Sequence, residues 1–468
     1  MTARRTHPWR GPAWVAWRTR NARGAGDVGG VVRSIARGAD TAVGIRVGRQ
    51  RILLPLDPAL VGRLLVEHAA ETTKGPGVQL TRQMLGNGLL TSEGAPHDRA
   101  RKLIAPAFSP RRLADYTDAF GDRTQARTSG WHDAEILDIH DEMAALTLDI
   151  VGRTLLGIDL ADRAPAIRGS LESALERFGE VGGGSLLNRT PGRRFALVGH
   201  AAHRRRSAVR EPRPAEAEVH AVVDEVIGQR REHPCDDGRD LVSALLSDGQ
   251  VRAGMSDQDI HDHVITLIMA GHETSANALT WALFLLGRHP RVQEQLHIEV
   301  DRLPPGGPTF ARLPELPFTR AVIAEAMRLY PPAWLLGRTL LAPLQFAGWH
   351  APAGTLVAVS PMLLHRDPRW FADPDNFDPD RWLDDRRLAV PRYAFLPFGT
   401  GPRACIGEQF AWAEAVTVLA VIASRWDVHT SPELNPTPHY RVTLRPSGAV
   451  PLRVSARRRP DDPIRCPG

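Results

Sequence analysis

Apolar residues recur every three to four positions through much of this chain, the period of a helix with one buried face. The pattern predicts helices over Asp141–Leu156, Glu216–Arg231, Ser256–Leu286, Pro290–Arg302, Leu316–Leu329 and Glu408–Arg425. Strand-like pieces are short: Gly44–Leu54, Leu344–Phe346, Leu356–Val359 and Tyr440–Leu444. The expected architecture is mainly α with small β-sheets. No repeat and no low-complexity linker cuts the chain into independent units. One domain over residues 31–457 is therefore expected, flanked by a basic N-terminal tail, 1–30, and a C-terminal tail, 458–468.

The longest helix opens with Ser256-Asp257-Gln258-Asp259, an N-terminal capping box with aspartate in the usual glutamate position. At about 1.5 Å per residue it should run about 45 Å, enough to cross a domain. Its middle reads Ile268-Met269-Ala270-Gly271-His272-Glu273-Thr274-Ser275. A small and polar interruption inside an apolar helix costs stability, which asks for a functional reason. From Gly182 to Pro214 the chain is rich in Gly, Pro and Arg. That region reads either as part of a substrate entrance or as a solvated surface loop.

With 43% apolar and 24% charged residues, a chain of 468 residues can bury a large core and is neither disordered nor fibrous. No run approaches the roughly 18 apolar residues of a membrane span, and Met1–Arg23 is basic and broken by prolines. No transmembrane anchor or signal peptide is expected; Arg4 and Arg5 lack the apolar segment that a twin-arginine signal needs. Cys235, Cys405 and Cys466 stand at unrelated spacings and build no disulfide framework, which points to a reducing compartment, the cytoplasm. The formal charge of +6 comes from arginines spread along the chain, without a nucleic-acid reader motif, so no nucleic acid is expected. The basic surface either docks an acidic electron-transfer partner or is simply solvated.

Near the C-terminus the chain runs Phe398-Gly399-Thr400-Gly401-Pro402-Arg403-Ala404-Cys405-Ile406-Gly407, the pattern F-G-x-G-x-R-x-C-x-G. The glycines permit a tight turn, and the cysteine precedes a helical run. A helix N-terminus facing the sulfur favours thiolate over thiol and lowers its pKa. Gly399-x-Gly401-x-x-Ala404 also fits a dinucleotide fingerprint, but Pro397 interrupts the strand before it and too little chain follows. Histidines 261, 263 and 272 with Glu273 suggest zinc, yet positions two apart face different sides of a helix and H-E-x-x-H is incomplete.

The motif resembles the haem-binding loop of the cytochrome P-450 family, and the resemblance extends over most of the chain. It implies the single-domain cytochrome P-450 fold, with haem (heme b, iron protoporphyrin IX) held by Cys405, a ligand that favours O–O cleavage. Phe398 and Gly399 belong to the same cofactor-binding loop. E-x-x-R occurs twice, at Glu299 to Arg302 and Glu325 to Arg328. Only the second is followed by Leu329-Tyr330-Pro331-Pro332 and by Phe377-Asp378-Pro379-Asp380-Arg381-Trp382, so the resemblance assigns Glu325, Arg328 and Arg381 to a buried network behind the haem loop. Glu299 and Arg302 are expected on a solvated helix face.

Ala270-Gly271-His272-Glu273-Thr274 is similar to the family's oxygen-activation segment. The resemblance implies catalytic roles for Thr274 and Glu273: Gly271 makes room for dioxygen, Thr274 donates to it and Glu273 helps relay protons. A threonine bonding back to its own helix is the plainer alternative. The family pattern sets the propionate-binding cations at His97, Arg101, Arg338 and Arg403. The implied reaction inserts one oxygen atom of dioxygen into a C–H bond.

The expected substrate wall is apolar, from Leu267, Ile268, Ala270, Trp334, Leu335 and Leu336, which suits a small apolar substrate. Trp334-Leu335-Leu336-Gly337-Arg338, His365-Arg366-Asp367-Pro368 and Phe410-Ala411-Trp412-Ala413-Glu414 are similar to bacterial terpene oxidases of the pentalenene oxygenase kind. A terpenoid is thus one expectation; fatty acids, macrolides and steroids stay open, as does a peroxide-driven peroxygenase. A haem protein that binds a gas without turnover is the alternative from another class. No flavin or nicotinamide domain is appended, so separate ferredoxin and reductase proteins are expected to deliver electrons.

Overall fold

The computed structural model describes residues 9–19, 28–160, 163, 165–170, 173, 217–233, 240–247, 255–303, 307–346 and 348–457. The Gly182–Pro214 region, Cys235, Cys466 and the C-terminal tail lie outside them.

Helices dominate, and they gather around one of 32 residues, Asp257–Arg288. Its capping box forms as expected: Ser256 Oγ accepts from Asp259 N at 3.2 Å while Asp259 Oδ2 accepts from Ser256 N at 2.8 Å. The helices Ile139–Val151, Ala217–Glu232, Pro317–Leu329 and Glu408–Ala423 all pack against it. The last of these buries every residue from Trp412 to Ala423, so it has no solvent face to keep polar.

The main sheet has five strands in the order Ala42–Val47, Gln50–Pro55, Leu356–Val359, Leu336–Leu340, Thr72–Lys74. Pairing is antiparallel except between Gln50–Pro55 and Leu356–Val359. Its last register sets Lys74 opposite Arg338. The piece expected as one strand, Gly44–Leu54, is a hairpin that turns at Gly48-Arg49, and Tyr440–Leu444 is the turn of a second hairpin, Pro438–Tyr440 with Leu444–Pro446.

Two expectations are corrected. Residues 9–19 are not a solvated tail: Arg10 exchanges backbone hydrogen bonds with Gly44 and Arg46, both 2.8 Å, and Trp9 meets Trp349 edge-on at 5.7 Å. Glu299 is not on an idle helix face either. Its carboxylate accepts from Phe318 N at 2.7 Å and Thr319 N at 2.8 Å, capping the helix that carries Glu325 and Arg328.

Candidate haem site

The loop before the helix Glu408–Ala423 is held from three sides. Cys405 N donates to Phe398 O at 2.9 Å, which closes the turn. Gly401 adopts φ +76° against the neighbouring backbone; a Cβ there would lie 2.1 Å from Leu65 O, so no other residue fits without displacing the chain. Arg101 Nη1 donates to Ala404 O at 2.8 Å, and the Phe398 ring packs edge-on against Trp412 at 5.6 Å.

Cys405 lies deep in the molecule, yet its own surface is open. Burial pushes its thiol above the usual range, and the Gly407 N–H pulls the other way without prevailing. The expected lowering at the helix terminus is thus present as a force but outweighed by desolvation.

Behind the loop, Glu325 and Arg328 are fully buried and form a two-pronged pair, both contacts 2.7 Å. Arg381 Nε stands 3.5 Å from Glu325, whose oxygens also accept from Trp382 Nε1 at 2.8 Å and Asp378 N at 3.1 Å. Arg328 spends its remaining donors on the carbonyls of His365, Pro374 and Asn376. His365, fully buried and held down to about 3 by desolvation, accepts from Leu396 N at 2.8 Å. The network therefore reaches the start of the cysteine loop through His365, a link not visible in the sequence.

Between Asp262 and Leu286 the long helix is buried except at Met269, Ala270, Gly271 and Thr274. Ala270 is the most open, and Thr274 follows one turn later. Thr274 Oγ1 donates back to Ala270 O at 2.6 Å, the intrahelical alternative. Glu273 points elsewhere: buried, it accepts from Thr443 Oγ1 at 2.7 Å. The room at Gly271 is taken by Val151, whose Cγ2 would lie 3.1 Å from an added Cβ, so the small residue on the open face is Ala270. Of the expected wall, Ala270 and Leu335 are open and Leu336 is half-buried; Leu267, Ile268 and Trp334 are packed into the interior. Among the described residues no cluster of His, Cys, Asp and Glu could hold a metal ion.

Cations gather next to the loop. Arg403 pairs with Glu93, but Arg403 Nη1 and Glu93 Oε2 are both buried and lack a hydrogen bond of proper geometry. Lys74 is buried, donates to Leu89 O and Ser92 O at 2.9 and 2.7 Å, and is drawn down to about 7 by desolvation and then by Arg403. Burial and Arg403 likewise bring Arg338 down to about 10. His97 is buried, with Nδ1 3.0 Å from Asp98, and is lowered chiefly by burial, with Lys74 and Arg403 adding to it. Cations suppressed by burial and by one another, with Arg403 Nη1 left without a proper hydrogen bond, are a donor set that two propionates would satisfy, so these residues fit haem. Lys74 and Glu93 were missed in the sequence; a single lysine carries no signal until strand pairing sets it beside Arg338.

A family model for cytochrome P450 matches residues 8–451. The chain belongs to the cytochrome P450 family. This P450 is 38% identical over 423 residues to the cyclooctatin synthase of Streptomyces melanosporofaciens, covering 87% of this chain and 88% of that protein. It is 34% identical over 426 residues to the pentalenene oxygenase of Streptomyces avermitilis, covering 89% and 90%. Among solved structures, the haem domain of cytochrome P450DA superposes with a TM-score of 0.79 at 27% identity, covering 94% of each chain. Fold, haem b as cofactor and monooxygenase activity follow from membership of this family. No helix among the described residues is long and apolar enough to cross a membrane.

Proposed function

We propose that this P450 hydroxylates a compact, apolar terpenoid. The observation that carries the reading is the open Cys405 sulfur on a backbone-locked loop beside suppressed cations, in a chain related to proteins named for cyclooctatin and pentalenene. Bound haem supplies the activation of dioxygen. Cys405 would hold the iron, with Phe398 and Gly399 shaping its loop. Lys74, His97, Arg338 and Arg403 would hold the propionates, while Arg101 braces the loop through Ala404 O. Thr274 supplies the hydroxyl nearest the open stretch, and because a hydroxyl has one proton, it must release Ala270 O before donating elsewhere. Glu273, held by Thr443, is one exchange of partners away from passing a proton along the same helix.

The open Ala270 and Leu335, with the half-buried Leu336, offer a substrate apolar contact and no charge. That supports a hydrocarbon skeleton over a fatty acid, whose carboxylate would want a cation. The domain, which takes in residues 9–19 as well as 31–457, acts as one unit in the cytoplasm and draws electrons from a separate ferredoxin and reductase.

The test is spectroscopic. The wild type should show the ferrous carbonyl band of thiolate ligation and Cys405→Ala should lose it; a band that persists overturns the ligand assignment. Spectral titration with terpenes, fatty acids, macrolides and steroids should favour terpenes. Turnover with peroxide but none with ferredoxin would make the protein a peroxygenase instead.

A further inference from the structure

Basic residues run through the whole chain, but the acids that balance them do not. The first 56 residues hold 11 arginines and two aspartates, whereas the remaining 412 hold 48 basic and 51 acidic residues. The net positive charge of the molecule therefore belongs to this one stretch, and the rest is slightly acidic.

The fold keeps the described part of the stretch together. Arg10 bridges to Ile45 in the first strand, and the helix Pro12–Thr19 packs on the helix Val28–Ala36 and on that strand. Arg46 and Arg49 stand at the tip of the hairpin made by Ala42–Val47 and Gln50–Pro55, and Arg33 and Arg37 stand in and just after the last turn of the second helix. All four are exposed, as is Arg10. Arg51 is half-buried, its guanidinium 5.9 Å from the Trp9 ring, and that of Arg10 lies 5.5 Å from the Trp14 ring. Among the described residues none of these six arginines meets a carboxylate, although arginines elsewhere do: Arg127 pairs with Glu142, Arg163 with Glu225 and Arg457 with Asp301. Asp40, the one acid described within the stretch, lies beside Arg369. Charges of one sign on one surface repel one another and call for an anion.

The side chains around them discriminate among anions. No large hydrophobic side chain described within the stretch is exposed, so the apolar core of an ordinary protein interface is missing. A nucleic-acid duplex is read by an element that enters a groove and a single strand by open aromatic platforms, whereas both indoles here are half-buried beside guanidinium groups. A bilayer surface needs neither. Its phosphates move to meet arginines wherever these stand, and indoles suit the headgroup level.

We propose that Arg10, Arg33, Arg37, Arg46, Arg49 and Arg51 form a face that docks the protein on anionic membrane lipid, reversibly and without insertion. The contact holds the enzyme at the phase in which a hydrocarbon-like substrate dissolves; that advantage, though not the docking, rests on the function proposed above.

The test is cosedimentation of the full, haem-loaded chain with vesicles of phosphatidylcholine, pure or mixed with phosphatidylglycerol. Binding to the mixed vesicles alone, weakening as salt is raised, is expected. One arginine near an anionic surface changes affinity about fivefold, so Arg46→Gln with Arg49→Gln should weaken binding about thirtyfold. Both side chains are exposed, so haem content and melting temperature should not change. Arg291→Gln with Arg302→Gln removes the same charge from exposed positions elsewhere and should leave vesicle affinity within about twofold. Equal binding to both kinds of vesicle, binding to neither, or an equal loss in the two double variants overturns the proposal. So does a random-sequence DNA duplex held more tightly than the mixed vesicles and released by the hairpin variant, which would make the face a nucleic-acid surface. Slower reduction by ferredoxin in the hairpin variant at unchanged vesicle affinity also overturns it, in favour of a protein partner. Vesicle binding needs no turnover, so a spectral titration without a terpene response would sink the terpenoid reading and leave the docking result as measured.

Discussion

Lys74 stands directly opposite Arg338 across an antiparallel strand pair, like charge against like charge, and Arg403 presses on both. Glu93, the carboxylate beside them, offsets this repulsion only in part. The unfolded chain keeps the Lys74 proton to its ordinary 10.5, whereas the folded chain without haem gives it up near 7. Between those values the unfolded state binds more protons, so the stability of the apoprotein rises with pH, and below about 7 that gain is absent. Measured by thermal unfolding from pH 7 to 9, the rise should be smaller in Lys74→Met than in wild type. With haem bound, propionates beside Lys74 should raise its pKa again, and the difference between the two proteins should shrink. Haem loss from Lys74→Met should be about tenfold faster, as expected for one charged hydrogen bond.

Glu325 has no solvent to turn to, and it answers Arg328, Arg381, Trp382 and Asp378 at once. Glu325→Ala should cost about 3–5 kcal/mol, because it strands a buried guanidinium. The protein should purify with little haem. His365→Phe, which removes the acceptor for Leu396 N, should lower haem retention while sparing most of the stability. Haem content per chain, read beside a denaturation curve, separates the two.

What was legible in the sequence follows from where the information sits. The cysteine loop needs fixed residue types at fixed offsets, and Gly401 shows why: the backbone of Leu65 occupies the space of a side chain. The long helix announced itself through its period and capping box. The helix Pro110–Thr128 did not, because four of its seven buried residues are Thr117, Gly121, Thr124 and Thr128, and these threonines satisfy themselves on their own helix. A hydropathy pattern cannot see such a face. Half of the wall, Leu267, Ile268 and Trp334, was misread for the opposite reason: these residues are apolar because they are core, while the open residue of the helix is Ala270, which has little hydropathy to show. Lys74, Glu93 and His365 acquire roles only through contacts made by the fold.

Thr274 is bound to Ala270 O, so the hydroxyl and the opening compete for one proton. Thr274→Ala should fold normally, since the lost bond is intrahelical, and should load haem fully. Electrons should then be diverted: hydrogen peroxide formed per reducing equivalent should rise several-fold and product fall to match, while Thr274→Ser stays close to wild type. Unchanged coupling in the alanine variant would assign the threonine to its helix alone. Thr443→Val tests Glu273 separately, because it removes the hydroxyl that holds the carboxylate; its expected signature is altered coupling at normal haem content.

Glu414 joins the cysteine helix to the long one, accepting from Ser275 Oγ at 2.5 Å, and its second oxygen is buried without a partner. Desolvation pushes the carboxyl up to about 8, far above the 4.5 of an exposed glutamate. The folded chain therefore holds a proton that the unfolded chain has released between about 4.5 and 8, and stability falls as pH rises through that window. Glu414→Gln keeps an oxygen for Ser275 and carries no charge to bury, so the fall due to this group should disappear. The variant should match wild type most closely near pH 5 and melt higher than wild type at pH 8. Glu414→Ala removes the partner and should melt lower than Glu414→Gln throughout, because it leaves the Ser275 hydroxyl unpaired in the interior. A wild type and a glutamine variant with parallel melting profiles from pH 5 to 8 would mean that the carboxyl is ionised in the folded protein, and that something other than desolvation sets its charge.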